Sequence, residues 1–295
     1  MLNQKKKLSI KNKLLVILIS LIALTAIVFL TISALNTIIE PEGFVTPDYD
    51  KIDIKHILTK SSLSEEDYKE LFYQTGLGKS SIDELLKNKQ TGIDDILRFQ
   101  YNFFADRKVL CEKIGIITSQ ESFVDNQLSY KYGFELAPYK EGYVLITKAT
   151  HSLGWRHGHA AIVTDAQKGY TLEAIILGQN SQYQNINKWR IYPSFIMLKL
   201  KNAPDKKLKE IAAFSKKYMN NMPYVLTIGL LSSKNPSTNN IKGTQCSHLV
   251  WYPFKQFGYD TDSDGSWLVT PKDIANSDLF EVVQIYGVDP KEIWP

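Results

Sequence analysis

Gln245-Cys246-Ser247-His248-Leu249-Val250-Trp251 opens polar and turns apolar at helical spacing: Leu249, Val250, Phe254 and Phe257 follow the cysteine by three, four, eight and eleven positions. A polar, loop-like stretch from Ser232 to Gln245 precedes it. The pattern predicts an amphipathic helix with Cys246 at its first turn, where unpaired amides and the helix dipole favour a thiolate over a thiol. Pro253 falls inside the pattern and is expected to kink or shorten the helix.

Working outward, short β-branched runs surround this helix at 142–147, 160–164, 170–177, 190–200 and 279–286, and a second amphipathic helix is expected over Asp205 to Asn220. The runs predict strands of one mostly antiparallel sheet, so the class is α+β. His159 follows Gly158 and precedes Ala160-Ala161-Ile162-Val163, as a residue at a strand start would. A hairpin through Asp165 to Gly169, with partner numbers summing to about 334, sets 161 opposite 173 and Glu173 within a residue or two of His159. Thiol hydrolysis needs a thiolate, a base for its proton and a group that orients the base, and Cys246, His159 and Glu173 supply those chemistries.

Upstream, 62–125 is expected to form three short helices, with capping boxes at Ser62/Glu65 and Ser81/Glu84 and a stop at Gly76 and Gly78. Cys111 falls there and is expected to be a buried structural thiol. Residues 41–60, with Pro41 and Pro47, have the character of a linker.

The N-terminus differs from everything after it. Leu14 to Ile39 runs 26 residues without a charge, more than the roughly 20 a membrane-spanning helix needs. The run is too long for a cleaved signal, and Ser33-Ala34-Leu35 is a poor cleavage site. Lys5, Lys6, Lys7, Lys11 and Lys13 precede the run and Glu40, Glu42, Asp48 and Asp50 follow it, an asymmetry that places the N-terminus in the cytoplasm and the rest outside. These lysines also account for the net charge of +4, because the chain from residue 14 carries 30 basic against 31 acidic side chains. A near-neutral body excludes the basic surface a nucleic-acid partner requires. The chain thus divides into an anchor (1–40), a linker and helical part (41–130) and a catalytic part (131–295).

Gly158-His159-Ala-Ala-Ile-Val, Leu172-Glu173-Ala174, Met222-Pro-Tyr224 and Gln245-Cys246-Ser-His-Leu-Val-Trp251, in that order, resemble the YiiX/YebB-like cysteine hydrolases, circularly permuted relatives of the NlpC-type peptidases. The likeness runs from about Pro138 to Ile285. It implies a permuted papain-like core with Cys246 as nucleophile, His159 as general base and acid, Glu173 as the orienting group and Tyr224 as an oxyanion donor beside the Cys246 amide. It implies no cofactor and no metal. Together with an outside location it suggests amide cleavage through a thioester, with peptidoglycan stem peptides as the first substrate class and lipid acyl groups as the second. A catalytically idle surface domain is the rival from another class.

Several features carry plainer expectations. Cys111 and Cys246 are able to pair by count, but pairing would consume the reactive thiol. His157 is expected to be an exposed loop residue, and His248, two positions after Cys246, to face away from the thiol at the surface or behind it. Zinc held by His151, His157, His159, Glu173 and Cys246 lacks supporting helical spacing. Asp260-Thr-Asp262-Ser-Asp264-Gly265 opens like a calcium loop, but Pro271 stands where the closing glutamate belongs, so a solvated turn is favoured, with Asp273 the substitute ligand if calcium binds.

Overall fold

The computed structural model describes residues 10–38, 43–115, 117–124, 133–152 and 155–295, with the side chains of 32–38 set aside. Lys5, Lys6, Lys7, Ile39, Glu40, Pro41 and Glu42 lie outside the described residues. Helix α1 (Ile10–Ile38) contains the apolar window Ile10–Thr31, long and apolar enough to cross a membrane, and none of that window is buried against other residues.

Residues 43–54, expected as part of a linker, are largely exposed but are tied to the body at several points. Gly43 is buried where a Cβ would collide with Glu121 and Arg156, Phe44 packs edge-on against Phe123, and the Tyr49 hydroxyl donates to the Tyr73 carbonyl. Helices α2 (Lys55–Leu58), α3 (Glu65–Thr75), α4 (Lys79–Leu86) and α5 (Gly92–Phe103) follow. Gly76 ends α3 in the left-handed conformation and Gly78 starts α4, as the glycine spacing predicts. The capping box forms between Ser64 and Asp67 rather than Ser62 and Glu65. Ser81 lies inside α4 and donates to the Val283 carbonyl, so it caps nothing.

The expected helical stretch stops at Phe103. Residues 108–124 form strands β1 (Lys108–Lys113) and β2 (Thr118–Val124), an antiparallel pair extended by β4 (Thr150–Ser152) into a small sheet. The period-two burial of a two-stranded ribbon is hard to read in a segment this polar.

The main sheet is antiparallel, in the order β7-β6-β5-β3-β8-β9. Its strands are β3 (Val144–Thr147), β5 (His159–Asp165), β6 (Tyr170–Glu173), β7 (Gln182–Asn185), β8 (Phe195–Leu200) and β9 (Phe280–Tyr286). β5 is buried from His159 to Thr164, with β3 and β6 as its neighbours and helices α6 (Asp205–Tyr218) and α7 (Cys246–Gln256) packed on it. A short helix, α8 (Pro271–Ala275), packs on α7.

Two expected strands end early for identifiable reasons. β6 stops at Glu173, and Ile175, Ile176 and Leu177 leave the ladder to line a cavity. Residues 186–191 wind into a 3₁₀ helix, and β8 begins only at Phe195, after Pro193. Pro253 does not end α7, which continues to Gln256. Every residue from Cys246 to Phe254 is buried, and that packing holds the helix through the missing amide.

Candidate active site

The β5–β6 hairpin pairs Ile162 with Leu172 and Val163 with Thr171, the register expected from loop length, with an irregularity only at Asp165. Side chains two apart on a strand share a face, so His159 lies diagonally from Glu173. His159 Nε2 is 2.8 Å from Glu173 Oε2. Gly158, at φ +72°, turns the chain into the strand, and a Cβ there would meet the Thr147 carbonyl and Trp294, so only glycine fits.

Glu173 is fully buried yet fully partnered. Oε2 also receives Lys188 Nζ at 2.6 Å, while Oε1 accepts the Thr171 hydroxyl at 2.5 Å and Trp189 Nε1 at 3.0 Å. Burial alone pushes its pKa up, but the Lys188 charge and the His159 hydrogen bond prevail and hold it far below the usual carboxylate range. The Trp189 indole stacks on the His159 ring, with centroids 5.5 Å apart at 15°. Lys188, Trp189 and Thr171 were not legible as site residues. Lys188 and Trp189 arrive on the 3₁₀ helix Ile186–Ile191, just before the run expected as strand from Arg190.

Cys246 is the first residue of α7, and the Gln245 side chain caps the helix by accepting from the Ser247 amide. The Cys246 thiol donates to Gln245 Oε1 at 3.5 Å and interacts electrostatically with His159. Burial pushes the thiol up, but His159 and the nearby Ala160 and Ser247 amides outweigh it and the pKa falls. On His159 the sign is opposite: burial pushes its pKa down, and Cys246 and Glu173 raise it to about 9. Both shifts favour the thiolate–imidazolium form of the pair.

Tyr224 lies beside this pair. The segment 223–225 pairs with Thr244 immediately before the cysteine, and Tyr224 lines the same cavity as Cys246. Burial, then the Cys246 charge, raises its pKa, so the phenol keeps its proton. The four expected residues thus converge.

Other expectations change. His157 is half-buried and not exposed: its Nε2 lies 3.0 Å from Ser152 Oγ, and burial pushes its pKa down to about 4. His248 faces away from the thiol but is wholly buried, bridging the Thr244 hydroxyl and the Lys234 carbonyl. Cys111 is half-buried in β1 with its Sγ 3.5 Å from His151 Nε2, and both cysteines are free. Asp262, Asp264 and Asp273 bring carboxylate oxygens within 4.8 Å of one another. Lys234 Nζ sits on Asp262 at 2.5 Å, so an ammonium already serves that cluster.

A cavity of about 350 Å³ opens at Cys246. Among the described residues, no Asp, Glu, Lys or Arg lines it; its walls include Ile117, Ile176, Leu226, Leu268 and Val269.

No family model and no curated protein matches the chain. Among solved structures, it is similar to the crystal structure of metalloprotein yiiX from Escherichia coli O157:H7, DUF1105. That match covers 50% of this chain and 97% of the other, at 12% sequence identity and a TM-score of 0.39. The neighbour bears the family name that the His159 and Cys246 motifs resemble, and at that score the likeness carries no argument for an activity.

Proposed function

We propose that this chain is a membrane-anchored, extracytoplasmic cysteine hydrolase with a permuted papain-like core. The observation that carries the reading is the Glu173–His159–Cys246 relay, in which a saturated carboxylate fixes an imidazole against a thiol at a helix N-terminus. The Cys246 thiolate attacks the carbonyl carbon of an amide or ester. The Tyr224 hydroxyl and the Cys246 amide, which has no intrahelical acceptor, stabilise the oxyanion. His159 gives its proton to the leaving amine or alcohol as the tetrahedral adduct collapses to a thioester. Water, deprotonated by His159, then releases the acid and restores the thiol pair. Glu173 holds the imidazole in the tautomer this requires.

The uncharged, apolar cavity favours a substrate whose acyl part is apolar. Cell-wall stem peptides carry carboxylates, and the cavity offers them no cation. The test is to incubate the full chain with lipid extracts and, separately, with muropeptides, and to look by mass spectrometry for products that Cys246→Ser does not make. An acyl adduct on Cys246 from the lipid arm supports the reading. Products from muropeptides alone move the substrate to peptides, and no adduct from either leaves the idle-domain rival.

A further inference from the structure

The outer edge of the cavity is as apolar as its walls. Leu226 and Leu230, with Leu177 and Trp155, line it and are 48 to 60% exposed, and beside them Trp267 and Leu231 reach 74 and 84%. These side chains come from four separate loops, and those at 226–231 and 267 are held to one another. The amides of Leu230 and Leu231 both donate to the Thr227 carbonyl, and Gly229 packs so closely on the Trp267 carbonyl that a Cβ would lie 2.0 Å from it. A fixed ring of exposed leucine and tryptophan is costly in water at roughly 25 cal/mol per Å², and such patches mark a surface that is covered in use.

The same chain indicates what covers it. The apolar window of α1 has a mean hydropathy of 3.0, and α1 continues to Ile38. From the window's end at Thr31 to Ile38 the helix adds about 10 Å, and the five steps to Gly43 reach at most about 18 Å. Gly43 is wedged on the Glu121–Arg156 pair, and Glu121 lies three residues, about 10 Å, along β2 from Thr118 in the cavity wall. A bilayer crossed by α1 is therefore within reach of the cavity, and no charge at the cavity opposes contact with it.

We propose that this rim is a second membrane contact: Leu226, Leu230, Leu231, Leu177, Trp155 and Trp267 insert into the monolayer on the side of the body, so that the cavity opens into the acyl layer. The inference rests on the proposed function in taking α1 as a membrane span and the cavity as the site. Its test reads no turnover, so the two fail separately.

The experiment places the full chain in nanodiscs of phosphatidylethanolamine and phosphatidylglycerol, in a Cys111→Ser, Cys246→Ser background. A nitroxide is attached at Leu231→Cys, at Trp267→Cys or, as an exposed control on α6, at Lys206→Cys. Docking makes the labels at 231 and 267 collide preferentially with oxygen and be shielded at least fivefold from an aqueous nickel chelate relative to the label at 206. A label at Thr227→Cys, which leaves Leu231 and Trp267 intact, behaves like those two, and adding Leu231→Asp with Trp267→Asp returns it to the aqueous pattern. Nickel access at 231, 267 and 227 equal to that at 206 overturns the proposal. So does spin–spin broadening between labels at 231, which would assign the rim to a second copy.

Discussion

Two cysteine–histidine–glutamate groups exist in this protein, and they are tuned in opposite directions. In one, Cys246 contacts His159, which meets Glu173. In the other, Cys111 Sγ lies 3.5 Å from His151 Nε2, which lies 3.6 Å from Glu121 Oε1. Cys246 is pulled below the ordinary thiol range and His159 is raised, whereas burial and the Glu121 charge push Cys111 up and burial pushes His151 down. Composition is thus not what makes a thiolate.

Two physical differences separate the groups. Arg156 takes Glu121 with both guanidinium nitrogens, at 2.5 and 2.8 Å, leaving His151 a long contact and an Nδ1 with no partner among the described residues. Glu173 shares Oε2 between Lys188 and His159 and keeps a short bond to the imidazole. The second difference is the backbone. Cys246 opens a helix, where the first amides have no intrahelical acceptor, while Cys111 sits in mid-strand, where the amides serve the ladder.

The largest expected effect separates the cysteines outright. Cys246→Ser lowers turnover of an activated acyl ester by about ten-thousand-fold or more, and Cys111→Ser leaves it within twofold. Equal losses would erase the contrast. Next, His159→Ala slows iodoacetamide alkylation of Cys246 at pH 6.5 by about a hundredfold, and in the native chain Cys246 reacts at least tenfold faster than Cys111 despite its deeper burial. Peptide mass mapping of each thiol measures both.

The pH profile follows from the same pair. The ionic form lies between the lowered thiol pKa and the imidazole at about 9, so activity is lost on the alkaline side near pH 9. Glu173→Gln removes the charge that raises the imidazole and moves this limb down toward the ordinary histidine range, while a limb that stays at 9 would refute the role of Glu173. The same change strands Lys188 and costs on the order of 3 kcal/mol in a denaturation curve, part of which Lys188→Met restores.

Arg156→Met strands the buried Glu121 instead, with a stability loss of similar order but Cys246 alkylation unchanged within twofold. Smallest of all, calorimetry with millimolar calcium gives no heat, because Lys234 already serves Asp262. Measurable heat would show that the ammonium yields to a metal.

The relay was legible because each part rested on a local rule. The loop from Asp165 to Gly169 fixed the hairpin register, and the polar-to-apolar turn at Cys246 fixed the helix start. The setting of the relay was not legible, since Lys188 and Trp189 reach Glu173 through a 3₁₀ turn that periodicity does not distinguish from strand. For His248 the sequence left surface and interior both open, because angle along a helix gives direction but not depth. The loop carrying Lys234 folds over α7 and buries His248, a long-range contact that no local pattern encodes. Strands β1 and β2 were missed because their segment is polar and shows little period-two alternation, although the two pair locally as a hairpin.

Gly43 has a mechanical consequence. Any pull transmitted along the chain from the apolar helix arrives first at a backbone wedged on the Glu121–Arg156 pair, and that pair is rooted in the strand whose far end walls the cavity. Among the described residues, the first backbone hydrogen bond such tension loads is that of the Val45 amide to the Gly287 carbonyl, just past the end of β9.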